Sequence, residues 1–358
     1  MRIAIVGSGI SGLVTAYLLS EEHEIVVYEA NDYIGGHTHT IDVPVNGKTY
    51  AIDTGFIVFN ENTYPNFINL MTRLGVSWQP SSMSFSVQCE RTGLYFCPSS
   101  LNSMFAQRRN LFHPSFYRML TDALRFRREA SELMETDDYS ITLAEYLETK
   151  NYGPYFIDNF IIPMGEAIWS ADPVQFKEFP ARYLVEFFNN HGVLNIHHQP
   201  QWLVIKGGSS QYIDPLTQPF RDGIRLGMPV SSVKRFQDRV EITAKGKTES
   251  FDQVVLAAHS DQALRMLADP TDLENDILSV IPYQENVAVL HTDATLMPKK
   301  KIAWASWNYH IPKEETGRVA LTYDMNRLQS LDAPEEFCVT LNMSGAIQPQ
   351  KKIESLVY

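Results

Sequence analysis

Gly7, Gly9 and Gly12 stand in the spacing G-x-G-x-x-G, and an acid, Glu29, follows at the end of the next apolar run. Residues of these types can hold a dinucleotide. Gly7 permits a tight turn, Gly9 lets the backbone approach a pyrophosphate, and Gly12 allows a helix to pack close to a strand. The Glu29 carboxylate can accept hydrogen bonds from ribose hydroxyls, and its charge disfavours a ribose that carries a further phosphate. A second candidate set lies in "IIPMGEAIWSADP", where Glu166 and Trp169 sit among apolar residues. Burial of Glu166 would raise its pKa and suit it to proton transfer, although such an acid can equally cap a helix or close a salt bridge. In "AWASWNYHI", strand periodicity puts Trp307 and Tyr309 on one face and Trp304 on the other, as in a cavity wall or in ordinary core. Glu166, Trp169 and Trp307 are therefore the candidate catalytic residues.

Other chemistries find less support. His37, His39, His191, His197 and His198 occur in no H-x-x-x-H helix with a nearby acid, so no catalytic metal is expected. No G-x-S-x-G elbow is present. Cys89, Cys97 and Cys338 form no C-x-x-C pair, which fits a reducing, cytoplasmic setting. A net charge of −12 argues against nucleic acid as a partner. No apolar run approaches the length of a membrane span.

The elements that must position the glycines can be read directly. Arg2–Val6 is a short apolar run with β-branched residues, the pattern of a strand buried on both faces. Residues from Ser11 to Leu19 carry apolar side chains at helical spacing, so the helix N-terminus aims its amides at the phosphates. Glu24–Tyr28 is a second buried strand. Downstream, residues 224–259 read as a strand, a hairpin with turns at Gln237-Asp238 and Gly246, and the buried run Val254–Ala258. Pro163, Pro173, Pro180 and Pro200 break the middle of the chain into short helices and loops.

The segment "EANDYIGGHTHT" resembles the second glycine motif of FAD-binding oxidoreductases of the amine oxidase and phytoene desaturase superfamily. "YAIDTGFIVFN" resembles that family's strand near the flavin ring, and "KGGSSQYIDPL" its G-G segment. The resemblance implies an α/β fold: a Rossmann-like FAD-binding domain of the amine oxidase/glutathione reductase type with an interleaved α+β substrate domain. It implies FAD contacts from Gly7, Gly9, Ile10, Ser11, Gly12, Glu29, Ala30, Gly35, Gly36, His37, Thr38, Asp53, Gly55, Phe56, Val230 and Ala258. His37 replaces the family's more usual arginine. The expected FAD domain comprises 1–80 and 204–265. The substrate domain comprises 81–203, largely helical, and 266–358, mainly strands. Only one G-x-G-x-x-G is present, so a built-in nicotinamide site is not expected.

Runs such as "DTGFIVFNENTYPNF", "IIPMGEAIWS" and "WASWNY" resemble a bacterial branch related to the N-terminal module of plant cyclopropane fatty acyl synthases. That resemblance implies a fatty-acyl or other small apolar substrate. The expected activity is FAD-dependent hydride abstraction, with reoxidation by oxygen or an external acceptor. A redox-neutral double-bond isomerase and a flavin-binding accessory module are the alternatives. Arg108, Arg109, Arg118, Arg125, Arg127 and Arg128, interleaved with apolar residues, suggest either peripheral membrane contact through the Arg108–Arg128 segment or a helix with a solvated basic face. The family's closing glycine-rich segment is not found in "FCVTLNMSGAIQPQKKIESLVY". A truncated chain that holds FAD weakly, or with an exposed flavin edge, is the expectation.

Overall fold

The computed structural model describes residues 1–169, 173–194, 199–314 and 317–358. The chain forms two units, one of Met1–Ile57, Leu70–Ser77 and Ile205–Glu285, the other of Val58–Asn69, Trp78–Val204 and Asn286–Tyr358. These limits differ from those read in the sequence. The strands Val58–Asn60 and Trp78–Pro80 flank Trp202–Ile205 in a small sheet. The helix Ser260–Met266 packs on the helix Asp272–Leu278 and on the strand Val230–Arg235, which draws residues 266–285 into the first unit.

In the first unit, four parallel strands lie in the order Ile224–Arg225, Glu24–Tyr28, Arg2–Val6, Gln253–Leu256. Ile3, Ala4, Ile5 and Val6 are all buried, as a strand covered on both faces requires. The helix Ile10–Leu19 follows directly. A three-stranded antiparallel sheet, Val230–Arg235, Val240–Ala244 and Lys247–Phe251, packs on this layer through Val233, Val240, Ile242 and Phe251 against Ala4, Val6, Val26 and Tyr28. Its turn at Lys245-Gly246 and the turn Asn46-Gly47 of the hairpin Thr40–Asp53 both have two positive φ angles. That backbone matches the right-handed twist of the strands it joins.

The second unit is built on a seven-stranded sheet in the order Lys352–Val357, Val287–His291, Cys338–Leu341, Leu321–Asp324, Trp307–Ile311, Phe85–Cys89, Leu94–Phe96. The helices Pro114–Glu129, Ile162–Trp169 and Ala181–Asn190 belong to the same unit. Across five strands runs a buried polar row. His310 Nε2 meets Thr322 Oγ1 (2.9 Å), Thr322 Oγ1 meets Thr340 Oγ1 (2.8 Å), and Thr340 Oγ1 meets His291 Nε2 (2.7 Å). Asp293 N–H donates to His291 Nδ1 (2.9 Å), and Gln88 Nε2 faces His310 Nδ1 while donating to Leu296 O.

The α/β reading describes this fold; one finer expectation needs correction. "AWASWNYHI" is not one strand. Only Trp307–Ile311 is paired as a strand, and Trp304 follows a 3-10 turn with its Nε1–H donating to Pro298 O (2.7 Å). The chain also continues regularly past residue 342, because Lys352–Val357 pairs antiparallel with Val287–His291.

Candidate functional site

In the first unit, the strand Arg2–Val6 runs into Gly7, whose φ of +106° is a glycine conformation. The helix Ile10–Leu19 starts from Gly9 with no side chain capping it. Its first bond runs from Leu13 N–H to Gly9 O (2.9 Å), which leaves the amides of Ile10, Ser11 and Gly12 at the helix end, where an anion is favoured. The three glycines serve different ends. A Cβ on Gly7 would stand 2.4 Å from Ala257 O, and one on Gly12 would stand 2.0 Å from Gly7 O. A Cβ on Gly9 would meet no atom within 4 Å, and its φ/ψ of −68°/175° suits any residue. Nothing in the protein asks for glycine at Gly9; a pyrophosphate lying on the backbone would. The residues present therefore fit the group that the spacing implies.

Gly35 and Gly36 come down on the same loop. Gly35 forms a parallel bridge with Gly9, and a Cβ on Gly36 (φ +59°) would lie 3.1 Å from Gly9 Cα. Ser8 is fully buried and joins the parts. Its Oγ donates to Glu29 Oε2 (2.6 Å) and accepts from Gly35 N–H (3.3 Å), while its own N–H donates to Glu29 Oε2 (2.9 Å). Asn31 N–H donates to Glu29 Oε1 (2.8 Å). The buried carboxylate is thus aimed by its own loop; Oε2 already accepts two hydrogen bonds, and Oε1 keeps a second lone pair for a ribose hydroxyl. Ala30 is exposed next to it.

The ring of His37 lies 6.1 Å from that of His259, which stacks on Tyr283 at 4.2 Å. Partial burial, with His259 beside it, pushes the His37 pKa below the usual histidine range. A neutral imidazole offers a hydrogen bond in place of the fixed charge of arginine. Gly55 passes so close to this segment that a Cβ would lie 2.1 Å from His37 O, and Phe56 N–H donates to the same oxygen (2.7 Å). The hydroxyl of the buried Thr38 bonds to that of Tyr212. Asp53 is fully buried and accepts from Thr40 Oγ1 (2.6 Å), Ser209 N–H (2.8 Å) and Ser209 Oγ (2.9 Å). Burial lifts its pKa to about 6 against the pull of these donors. These bonds clamp the Gly207-Gly208 turn onto the hairpin. Val230 begins the first strand of the three-stranded sheet beside a bulge, and Ala258 follows Ala257, whose N–H donates to Val6 O (2.8 Å).

In the second unit, a π-helical turn over Ile157–Ile161 precedes the helix Ile162–Trp169. Glu166 is 2 % exposed, and the Tyr309 hydroxyl donates to its Oε2. Glu166 and Tyr309 are thus brought together, whereas Trp169 and Trp307 lie in separate aromatic groups. Trp169 packs against Phe187 (4.6 Å) and Phe176 (5.7 Å). Trp307 meets Tyr323 edge-on at 5.4 Å and pairs in register with Phe85. Ser8, Ser209 and Tyr309 escaped the sequence reading. Ser8 fills a variable position of the glycine motif, and only the alternation that placed Tyr309 beside Trp307 hinted at its role.

Among the described residues, no group of three His, Cys, Asp or Glu is placed to hold a metal, and no helix is long and apolar enough to cross a membrane. His197 and His198 lie outside the described residues.

Residues 10–319 match the family described as flavin containing amine oxidoreductase. The chain is 23 % identical over 272 residues to the flavin-dependent L-tryptophan oxidase of Lentzea aerocolonigenes, covering 68 % of this chain and 54 % of the oxidase. It is 30 % identical over 188 residues to the 15-cis-phytoene desaturase of Synechococcus elongatus, covering 48 % and 38 %. It thus spans about half of the tryptophan oxidase and less of the desaturase. Among solved structures, cyclohexylamine oxidase from Brevibacterium oxydans IH-35A superposes with a TM-score of 0.68 at 16 % identity, over 100 % of this chain and 84 % of the oxidase. A CLA-producing fatty acid isomerase from P. acnes gives 0.66 at 16 %, over 100 % and 85 %. At such identities these likenesses bear on the fold alone.

Proposed function

Because the chain belongs to the flavin-containing amine oxidoreductase family, we propose that it binds FAD through the first unit and oxidises a small apolar substrate, an amine or a fatty-acyl compound. The observation that carries the cofactor part is the open space over Gly9, bounded by the Ile10–Leu19 helix N-terminus and by Gly36. Bound there, FAD would supply hydride acceptance from a C–H bond. Gly9 and the amides of Ile10–Gly12 would hold its pyrophosphate, and Glu29 would take the ribose hydroxyls.

Glu166 and Tyr309 are the pair we assign to substrate handling. The carboxylate is dry and holds the phenolic proton, so it can orient a polar group on the substrate or take up a proton that substrate oxidation releases. Trp307, Tyr323 and Phe85 form a neighbouring aromatic surface suited to an apolar body.

Anaerobic mixing of the reconstituted protein with a panel of amines and unsaturated lipids tests the reading. Bleaching of the flavin absorbance is the expected result. A changed product without bleaching would instead show redox-neutral isomerisation. Neither, across the whole panel, would leave a flavin-binding accessory role.

A further inference from the structure

The Arg108–Arg128 stretch divides in the structure into halves with different surroundings. On the helix Pro114–Glu129 three of the four arginines are paired locally with two carboxylates: Arg118 and Arg125 face Asp122, and Arg125 and Arg128 face Glu129. Phe116, Met119 and Phe126 are core residues. This half is a packed helix with a paired polar face.

The half before the helix is different. Phe112 is 87 % exposed and Leu101 77 %, with Leu111 beside them also open to solvent. Arg108 and Arg109 direct their guanidinium groups to main-chain and amide oxygens: Arg108 to Phe105 O (2.8 Å) and Asn102 Oδ1 (2.6 Å), Arg109 to Gly93 O (3.0 Å). Such partners fix the side chains and leave their charge uncancelled. The fold then adds a second basic run from far along the chain. Lys300 Nζ donates to Ala106 O (2.9 Å), and the turn Lys301–Ala303 packs on the helix Leu101–Met104. Lys299, Lys300, Lys301 and the exposed Ile302 are thereby joined to the segment Leu101–Ala106, to which Arg108 is also bonded, and Phe112 ends the short turn that begins at Arg108. No Asp or Glu occurs in residues 91–121 or 294–313, although the whole chain carries a net charge of −12.

We infer that this face, Leu101, Arg108, Leu111 and Phe112 with Lys299–Ile302, docks on an anionic phospholipid surface. Exposed apolar side chains ringed by uncancelled cations complement a bilayer interface, where the apolar groups enter the acyl boundary and the cations meet headgroup phosphates. The face belongs to the second unit and is independent of the flavin reading.

Vesicle sedimentation tests it, with apo and FAD-loaded protein and phosphatidylcholine vesicles with and without phosphatidylglycerol, at low and near-physiological salt. Binding is expected only with the anionic lipid, equally for apo and loaded protein, and weaker in salt. Each basic residue near the surface is worth about five-fold in partitioning, so removing two in Lys299→Gln/Lys301→Gln should weaken it about 25-fold. Phe112→Ser should weaken it while leaving the melting temperature unchanged. Arg128→Gln, whose charge faces Glu129, should bind like the parent. Failure of the parent to bind anionic vesicles at low salt would overturn the inference. So would binding that the Phe112 and lysine variants retain, or binding of these residues to a soluble acidic polypeptide but not to vesicles.

Discussion

The same chemical change, glycine to alanine, should have opposite consequences at Gly9 and at Gly12. At Gly9 the backbone is already in a region open to alanine, and the new methyl meets nothing. Stability of the apoprotein should stay level or rise by about 0.4–1 kcal/mol, since alanine restricts the unfolded chain. The methyl would occupy the space over the loop, so the pyrophosphate must lift away. Loss of roughly two charge-assisted hydrogen bonds would cost about 3 kcal/mol, on the order of 100-fold in the Kd for FAD. At Gly12 the methyl would lie 2.0 Å from Gly7 O, a backbone atom with no freedom to rotate aside, and the fold itself should lose about 3 kcal/mol or more. Urea unfolding of the apoproteins, followed by tryptophan fluorescence, measures the first quantity; quenching of flavin fluorescence on titration measures the second. A Gly9→Ala protein that binds FAD as tightly as the parent would refute the placement of the pyrophosphate over Gly9.

Three further outcomes are expected. Burial pushes His291 and His310 down to about 4, so the unfolded chain binds more protons than the folded one below pH 6.5. Their contribution is fully present above that pH and declines as pH falls towards 4, by about 2 kcal/mol each at pH 5, which imidazole NMR titration with urea unfolding will read. Asp53 acts oppositely: its raised pKa, about 6, means stability declines as pH rises from 3.8 to 6, and the pH slope of Asp53→Asn in urea unfolding should lack that term. Tyr309→Phe removes the donor to the buried Glu166 and should cost about 1–3 kcal/mol, seen in thermal melts, and shift the pH profile of flavin reduction by substrate.

The first unit was legible in the sequence because its demands are local. A strand buried on both faces, a tight turn and a helix start leave an ordered pattern between Arg2 and Glu29, and the turn at Gly246 is equally local. What escaped was set by distance. Ser8 becomes a hub only once Gly35 is brought against Gly9, and Ser209 matters only because Asp53 lies under it. Tyr309 and Glu166 are joined across a helix and a sheet, which no spacing encodes. Likewise, the apolar and basic stretch near residue 110 read as one amphipathic element. Its internal ion pairs, and the lysines supplied near residue 300, depend on tertiary contacts.

The polar row across the seven-stranded sheet carries a consequence for hydrogen count. Both outer imidazole nitrogens face donors, Asp293 N–H on His291 and the Gln88 amide on His310, whose orientation is fixed by Leu296 O. Both inner nitrogens must then carry hydrogen, and the hydroxyls of Thr322 and Thr340 bring two more. Four hydrogens thus meet three gaps, so the row is saturated with donors and one hydroxyl hydrogen must turn outside it. A further proton could enter only at an outer nitrogen, against a donor already in place. The centre of this sheet is therefore built to accept no positive charge, and acid would open it from within.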